Sequence, residues 1–313
     1  MKLIIRSKQI IATDIIALQL VRPDGELLPE FSAGSHIDIS LNTGMVRSYS
    51  LCQSPKIRDY YQIAVLRAQK SRGGSQALHA LAVGAELEVS EPKNRFALDL
   101  KATHSVLIAG GIGITPLLSM AETLLNLGKS FEIYYATKSA SRTAFMARLS
   151  SPDLVDKTRF YFGNQKGGRL HVSSLMESLS KEAHIYVCGP EGLINDVLNE
   201  ARTHYWAEDH LHYEFFSNSH VMDEADGFMV RLKRKDRLIT VAPNQTIVEA
   251  LEDQGIYVPT SCREGLCGTC LTKVISGVPD HRDMYLSAKE KASGRVMMPC
   301  VSRSLTSVIE LDL

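Results

Sequence analysis

Apolar and polar positions change rhythm twice along the chain. Over residues 1–100, short runs such as "HIDISL", "RSYSL", "YYQIAVLR" and "ELEVSEP" are separated by Pro-Asp-Gly, Asn-Thr-Gly and Gly-Gly, which predicts strands joined by tight turns and, from their spacing, a small antiparallel β-barrel. Over 101–216 the apolar runs "HSVLIAG", "FEIYYATK", "RFYFG" and "HIYVCGP" alternate with the helical stretches "PLLSMAETLLNLG" and "EGLINDVLNEARTH", the pattern of a parallel α/β domain. The stretch "SNSHVMDEADG", residues 217–227, is polar and acidic without periodicity and reads as a linker. The last segment, 228–313, opens with a hairpin in "FMVRLKRKDRLITVA". A helix follows, started by the capping box Thr246/Glu249 and stopped by Gly255; a second box, Ser287/Glu290, starts a short helix before Cys300 and the final strand "SVIELDL".

At 313 residues the chain is expected to form two or three domains. A formal charge of zero and 44% apolar content leave no electrostatic footprint for nucleic acid or an anionic membrane. The N-terminal "MKLIIRSKQIIATDIIALQL" is interrupted by Arg6, Lys8 and Asp14, so it reads neither as a signal core nor as a membrane span, and a cytoplasmic location is expected. In a reducing compartment the six cysteines point to metal or redox work, not to disulfides.

Three of them lie in "SCREGLCGTC" (261–270): Cys262, Cys267 and Cys270, with Cys300 far downstream. C-x4-C-x2-C with a distant fourth cysteine is the spacing of plant-type [2Fe-2S] ferredoxins. Two irons and two sulfides need four thiolates around a wide object, and Gly265 and Gly268 allow the backbone to fold tightly with its amides aimed at sulfur. The alternative is a four-cysteine zinc site, which usually arrives as paired C-x2-C units.

"GGIGITP" (110–116) follows a strand and opens a helix, with Thr115 expected as N-cap and Pro116 as the first helical residue; backbone donors and the helix dipole there suit an anion such as pyrophosphate. A plain strand-to-helix turn is the other reading. The fingerprint G-x-G-x-x-G is absent, because Pro116 takes the third glycine position and no acidic residue closes the next strand, so a Rossmann dehydrogenase is disfavoured. "YVCGPEG" (186–192) is a second strand end, with Cys188, Gly189 and Pro190 at its edge; together the two suggest a nicotinamide cleft, although Cys188 alone also fits a core thiol. In the front segment "RSYS" (Arg47, Ser48, Tyr49, Ser50) offers a cation, an aromatic and two hydroxyls, and "SRGGSQALHAL" a phosphate cradle around Arg72, Gly74 and Ser75. Barrel packing for Tyr49 and a solvated turn for "SRGG" remain open. His36, His79 and His281 are read as turn or surface groups.

In this order "RSYSL", "SRGGS", "GGIGITP", "CGPEG", "HYEFFS" and "CREGLCGTC" resemble the phthalate dioxygenase reductase and vanillate demethylase reductase family over essentially the whole chain. The resemblance implies an FMN-binding β-barrel (1–100), a NAD(P)-binding α/β domain of ferredoxin reductase type (101–216), a linker (217–227) and a C-terminal α+β β-grasp ferredoxin domain (228–313). It implies that Arg47, Ser48, Tyr49, Ser50, Ala64, Val65, Leu66, Gly74 and Ser75 line FMN, and that Phe216 lies near the flavin. Gly111, Thr115, Cys188, Gly189 and Pro190 would hold NADH, and Cys262, Cys267, Cys270 and Cys300 the [2Fe-2S] cluster.

The implied function is an oxidoreductase without an acid–base residue, passing electrons from NAD(P)H through FMN and the cluster to a Rieske-type terminal oxygenase, with "EGL" (264–266) as the expected contact. The resemblance favours NADH, whereas Lys138, Ser139 and Arg142, where NADH-preferring relatives often carry an acid, leave NADPH as an alternative. Reductases of diiron hydroxylases or cytochromes share the chemistry but often place the ferredoxin domain first. A zinc-bearing interaction protein is the alternative of another class.

Overall fold

The computed structural model describes residues 1–41, 45–68, 73–216 and 227–313. They fall into two compact units, Met1–Phe216 and Ser217–Leu313. The linker expected at 217–227 lies, but for Gly227, outside the described residues, as do Ser71 and Arg72.

The first unit opens with strands β1 (Lys2–Ala12), β2 (Ile15–Val21), β3 (Ser35–Ser40), β4 (Val46–Ser50) and β5 (Tyr61–Leu66). Helix α1 (Gly74–Ala80) and strands β6 (Glu86–Val89) and β7 (Lys93–Asn94) follow. The strands run β4–β3–β6–β1–β2–β5 in space with β7 beside β3, and all their pairings are antiparallel. The two ends of the path, β4 and β5, lie side by side, giving the expected barrel. Leu3, Ile5, Leu18, Ile37, Ile39 and Ile63 fill its interior.

The second layer of this unit alternates strands and helices: β8 (His104–Gly110), α2 (Ile114–Asn126), β9 (Ser130–Thr137), α3 (Met146–Leu149), β10 (Thr158–Phe162), α4 (Val172–Ser178), β11 (His184–Gly189), α5 (Glu191–Thr203) and β12 (Leu211–Phe215). The sheet is parallel throughout, in the order β10–β9–β8–β11–β12. Both faces are covered, so both sets of alternating side chains are apolar. Val106, Ile108, Ile185 and Val187 pack toward α4 and α5; Leu107, Ala109, Ile133 and Tyr135 pack toward α2. The α2-side core also takes in Ile15, Ala33, Ala64 and Phe96 of the barrel segment, so barrel and parallel sheet share one core.

The second unit contains β13 (Phe228–Leu232), β14 (Arg237–Val241), α6 (Ile247–Glu252), β15 (Thr272–Ser276), β16 (Pro279–Asp280), α7 (Ala288–Ser293), β17 (Val296–Met297), β18 (Arg303–Ser304) and β19 (Val308–Leu311). Its mixed sheet runs β14–β13–β19–β15–β17, with β13 and β19 parallel, and α6 packs on it. Both capping boxes form as expected, Thr246 with Glu249 and Ser287 with Glu290. Among the described residues no helix is long and apolar enough to cross a membrane.

Two expectations need correction. Thr115 is not an N-cap nor Pro116 the first helical residue: α2 begins two residues earlier, at Ile114 with Gly113 before it, and the Thr115 hydroxyl donates to the Ile112 carbonyl at 3.0 Å. His36 is no surface group, being only 7% exposed within β3, and His281 is largely buried, with a side chain only 11% exposed.

Candidate functional site

The two glycine-bearing strand ends meet. Cys188 pairs with Ala109 across β11 and β8, so the turns that follow are pressed together. A Cβ on Gly113 would lie 2.2 Å from the Cys188 carbonyl oxygen, one on Gly110 2.5 Å from Pro190 Cδ, and one on Gly189 2.7 Å from Gly110 Cα. Only glycine permits that approach, and it brings two runs of strand-end backbone to one place at the carboxyl edge of the sheet, where ligands of open α/β folds bind. Gly111 has φ +54°, with nothing near its open side. Cys188 itself is fully buried, and burial pushes its thiol pKa well up; the residue offers backbone at the mouth, not a reactive sulfur.

The barrel contributes a second set. On β4, Arg47 packs its stem on Gly74, where a Cβ would come within 2.9 Å of Arg47 Cγ, so "RSYS" and "SRGGS" are brought together although separated in sequence. The Ser75 hydroxyl accepts the Ala68 amide at 3.2 Å. Ala64 and Val65 on β5 are buried and Leu66 is exposed. Ser48 turns to a different neighbourhood, donating to Asp38 at 2.5 Å, and Asp38 also accepts Lys93 at 2.8 Å. Phe216 packs against the core shared by barrel and sheet.

One residue in "HYEFFS" escaped attention. Glu214 on β12 pairs with Cys188 on β11, and its carboxyl is hydrogen-bonded to the Ser50 hydroxyl at the end of β4. Part of the residue reaches solvent, but Oε2 is buried without a partner. Burial pushes the pKa up to about 8. A neutral, half-satisfied carboxyl standing where the barrel meets the sheet edge is an unspent hydrogen-bonding group, and it fits a polar heteroaromatic ring system such as a flavin lying between Ser50 and the strand ends. No local signal distinguishes this glutamate; its position depends on pairing to β11.

In the second unit Cys262, Cys267, Cys270 and Cys300 are all buried, with Cys270 Sγ and Cys300 Sγ 3.2 Å apart. Backbone amides turn toward the sulfurs: Glu264 N lies 3.3 Å from Cys262 Sγ, and the amides of Leu266, Thr269 and Gly265 reach Cys262, Cys267 and Cys300. Such donors favour thiolates and stabilise a negatively charged cluster. Gly265 and Gly268 take φ +68° and +70°. A Cβ on Gly268 would be 2.3 Å from Tyr285 Cζ and one on Gly265 2.5 Å from Val301 Cγ2. The donor set and its amide cradle fit a [2Fe-2S] cluster.

Asp283, 1% exposed, is a further residue that sequence reasoning passed over. It accepts the amides of Tyr285 at 3.2 Å and Leu286 at 2.8 Å, and Met284 N donates to Gly265 O at 3.1 Å. This carboxylate therefore fixes the segment that closes over the cysteine loop.

Paired strand-end turns facing a barrel, with four buried thiols in a second unit, define an NAD(P)H-dependent electron-transfer oxidoreductase of ferredoxin reductase type. A family profile described as "2Fe-2S iron-sulfur cluster binding domain" matches residues 230–305, which decides for a cluster over zinc. Another, "Dimethylamine monooxygenase subunit DmmA-like, N-terminal domain", matches 85–211. A vanillate O-demethylase oxidoreductase of Pseudomonas sp. (strain HR199 / DSM 7063) is 41% identical over 100% of this chain and 99% of its own. Phthalate dioxygenase reductase superposes with TM-score 0.79 at 38% identity over 100% of this chain and 98% of its own. An intact type IV self-sufficient cytochrome P450 monooxygenase gives TM-score 0.83 at 39% identity, the chain spanning 41% of its length. The chain belongs to the family of vanillate O-demethylase oxidoreductase and phthalate dioxygenase reductase.

Proposed function

We propose that this chain is the reductase component of a two-component Rieske oxygenase system, taking electrons from NADH and delivering them through FMN and the [2Fe-2S] cluster. Residues 1–100 carry the flavin, 101–216 the nucleotide and 228–313 the cluster, with 217–227 as the tether, all in the cytoplasm. The observation that carries the reading is the junction of Ser50, Glu214 and Cys188, where the Ser50 hydrogen bond links barrel to sheet edge and the second carboxyl oxygen of Glu214 stays buried without a partner.

Bound flavin supplies the exchange between hydride and single electrons that neither the nucleotide nor the cluster performs alone. The chain's own work is placement. Arg47 and Gly74 with Ser75 would bind phosphate; Tyr49 and the Ala64–Leu66 strand would hold the ring system; Ser50 and Glu214 would offer it hydrogen bonds. Gly111, Gly189 and Pro190, with the backbone of the buried Thr115 and Cys188, would bind the nucleotide, and Phe216 would lie beside that place. Ser48 belongs to this set by sequence neighbourhood, but its hydroxyl is committed to Asp38. Cys262, Cys267, Cys270 and Cys300 hold the cluster, and Glu264 with Gly265 and Leu266 meet the acceptor.

The test is an anaerobic titration of the purified protein with NADH and then NADPH, followed by visible absorption and low-temperature electron paramagnetic resonance, with the released flavin identified by mass. Reduction of both centres by NADH and release of FMN support the proposal; no bleaching with either nucleotide refutes it. The acceptor is tested by turnover with a Rieske oxygenase, a diiron hydroxylase and a cytochrome P450. Likeness to the self-sufficient P450 gives the last its own support. Exclusive reduction of the haem protein would replace the Rieske assignment.

A further inference from the structure

The stretch after β9 is tied down on two sides. Thr137 and Thr143 hydroxyls donate to the Ser139 carbonyl at 3.2 and 3.0 Å, and the Ser139 and Ser141 hydroxyls lie 3.0 Å apart. From outside, the barrel turn between β1 and β2 grips the same stretch: Thr13 N donates to Ser141 O at 2.8 Å, and Asp14 Oδ2 pairs with Arg142 Nη2 at 2.9 Å. Asp14 is no loose surface acid. It has φ +63°, and its carbonyl accepts Arg67 N at 2.8 Å, so the turn fixes where its carboxylate stands.

β9 lies beside β8, whose end begins the glycine turn. In parallel sheets that bind a dinucleotide across their strand ends, the residues following the second strand meet the adenosine ribose, and their charge decides between a free 2'-hydroxyl and a 2'-phosphate. Here that stretch is Lys138–Thr143, carrying two cations and no acid of its own. An arginine there would grip a phosphate with its planar fork. Arg142 is instead paired with a carboxylate from another layer, 128 positions away in sequence.

We infer that Asp14 is a specificity-determining residue of the nucleotide site: it draws Arg142 to the barrel and places a carboxylate beside the ribose-reading stretch, biasing the chain toward NADH over NADPH. The inference rests on the reading of the strand ends as the nucleotide site, and the outcomes below separate the two.

The holoprotein is titrated by calorimetry with NAD+, NADP+ and 2',5'-ADP, none of which turns over. Wild type should bind NAD+ more tightly than NADP+. Asp14→Asn keeps a residue that tolerates left-handed backbone, and should tighten NADP+ and 2',5'-ADP about two- to fivefold, the scale of one charge-assisted phosphate contact at a partly exposed site, while NAD+ affinity is unchanged. Asp14→Gly, equally at ease at positive φ, gives the same reading if the Asn variant is unstable. Arg142→Gln alone should leave NADP+ affinity as it is, and combined with Asp14→Asn should abolish the gain.

Failure of Asp14→Asn to tighten NADP+, survival of the gain without Arg142, or a wild type that prefers NADP+ overturns the inference while the site reading stands. Wild type binding neither dinucleotide overturns the site reading, and the inference with it.

Discussion

Gly268 sits between two of the cluster cysteines with φ +70°, and a Cβ there would stand 2.3 Å from Tyr285 Cζ and 2.6 Å from its Cε2. Gly268→Ala therefore incurs two costs. Left-handed backbone costs a non-glycine residue about 1–2 kcal/mol, and overpacking adds about 1–3 kcal/mol. Tyr285 is 39% exposed and the overlapping atoms are the far end of its side chain, so the second cost belongs at the low end and the sum at about 2–3 kcal/mol. The loop should loosen, lowering the midpoint of urea-induced loss of visible cluster absorption and the iron content of the purified protein. Tyr285→Ala in the same chain removes the obstructing ring and should restore only the packing share, about 1 kcal/mol. A Gly268→Ala protein with wild-type midpoint, or a double variant no better than Gly268→Ala, would refute the argument.

Three other outcomes follow from the same geometry. Gly113→Ala forces the Cys188 carbonyl aside and should weaken NAD+ binding at least about tenfold, equivalent to about 1.4 kcal/mol, with flavin content kept; calorimetry reads it. Glu214 has a pKa raised from 4.5 to about 8, so it binds its proton more firmly folded than unfolded. Its contribution is full below about 4.5 and is lost as pH rises toward 8, and Glu214→Gln should flatten that fall in melting temperature between pH 6 and 9. His212 is the opposite case, lowered to about 4 by burial and by neighbouring His184. The neutral ring stabilises the fold above about pH 6.5, that contribution disappears as pH falls toward 4, and His212→Gln should lessen the acid-side drop in melting temperature.

Local features were legible in the chain. Strand runs and both capping boxes come from patterns a few residues long and form where their spacing placed them; three of the four thiols share one short motif, with Cys300 far downstream. What escaped depends on pairing across the fold. Glu214 acquires its place from its register against Cys188 and from Ser50 on another layer. Asp283 accepts amides only two and three residues on, but its burial and its contact with the hydroxyl of distant Ser302 come from the fold. Arg142, read as an available cation, is held by Asp14 of the barrel turn. Thr115 looked like a cap by composition, yet the glycines before it let the chain turn into the helix early, and its hydroxyl is used one turn back. His184 and His212 meet, at 3.0 Å between ring nitrogens, only because β11 and β12 are neighbours.

The core common to barrel and parallel sheet bears on how such chains can be recombined. A cut near residue 100 would strip Ile15, Ala33, Ala64 and Phe96 of the α2 side chains that cover them, exposing apolar surface on both pieces and inviting aggregation. A cut after Phe216 leaves each unit with a core of its own. Chimeras that exchange the thiol-bearing unit for that of a relative should fold, while those exchanging the sheet layer alone must bring its barrel along: the unit of inheritance here is larger than the unit of chemistry.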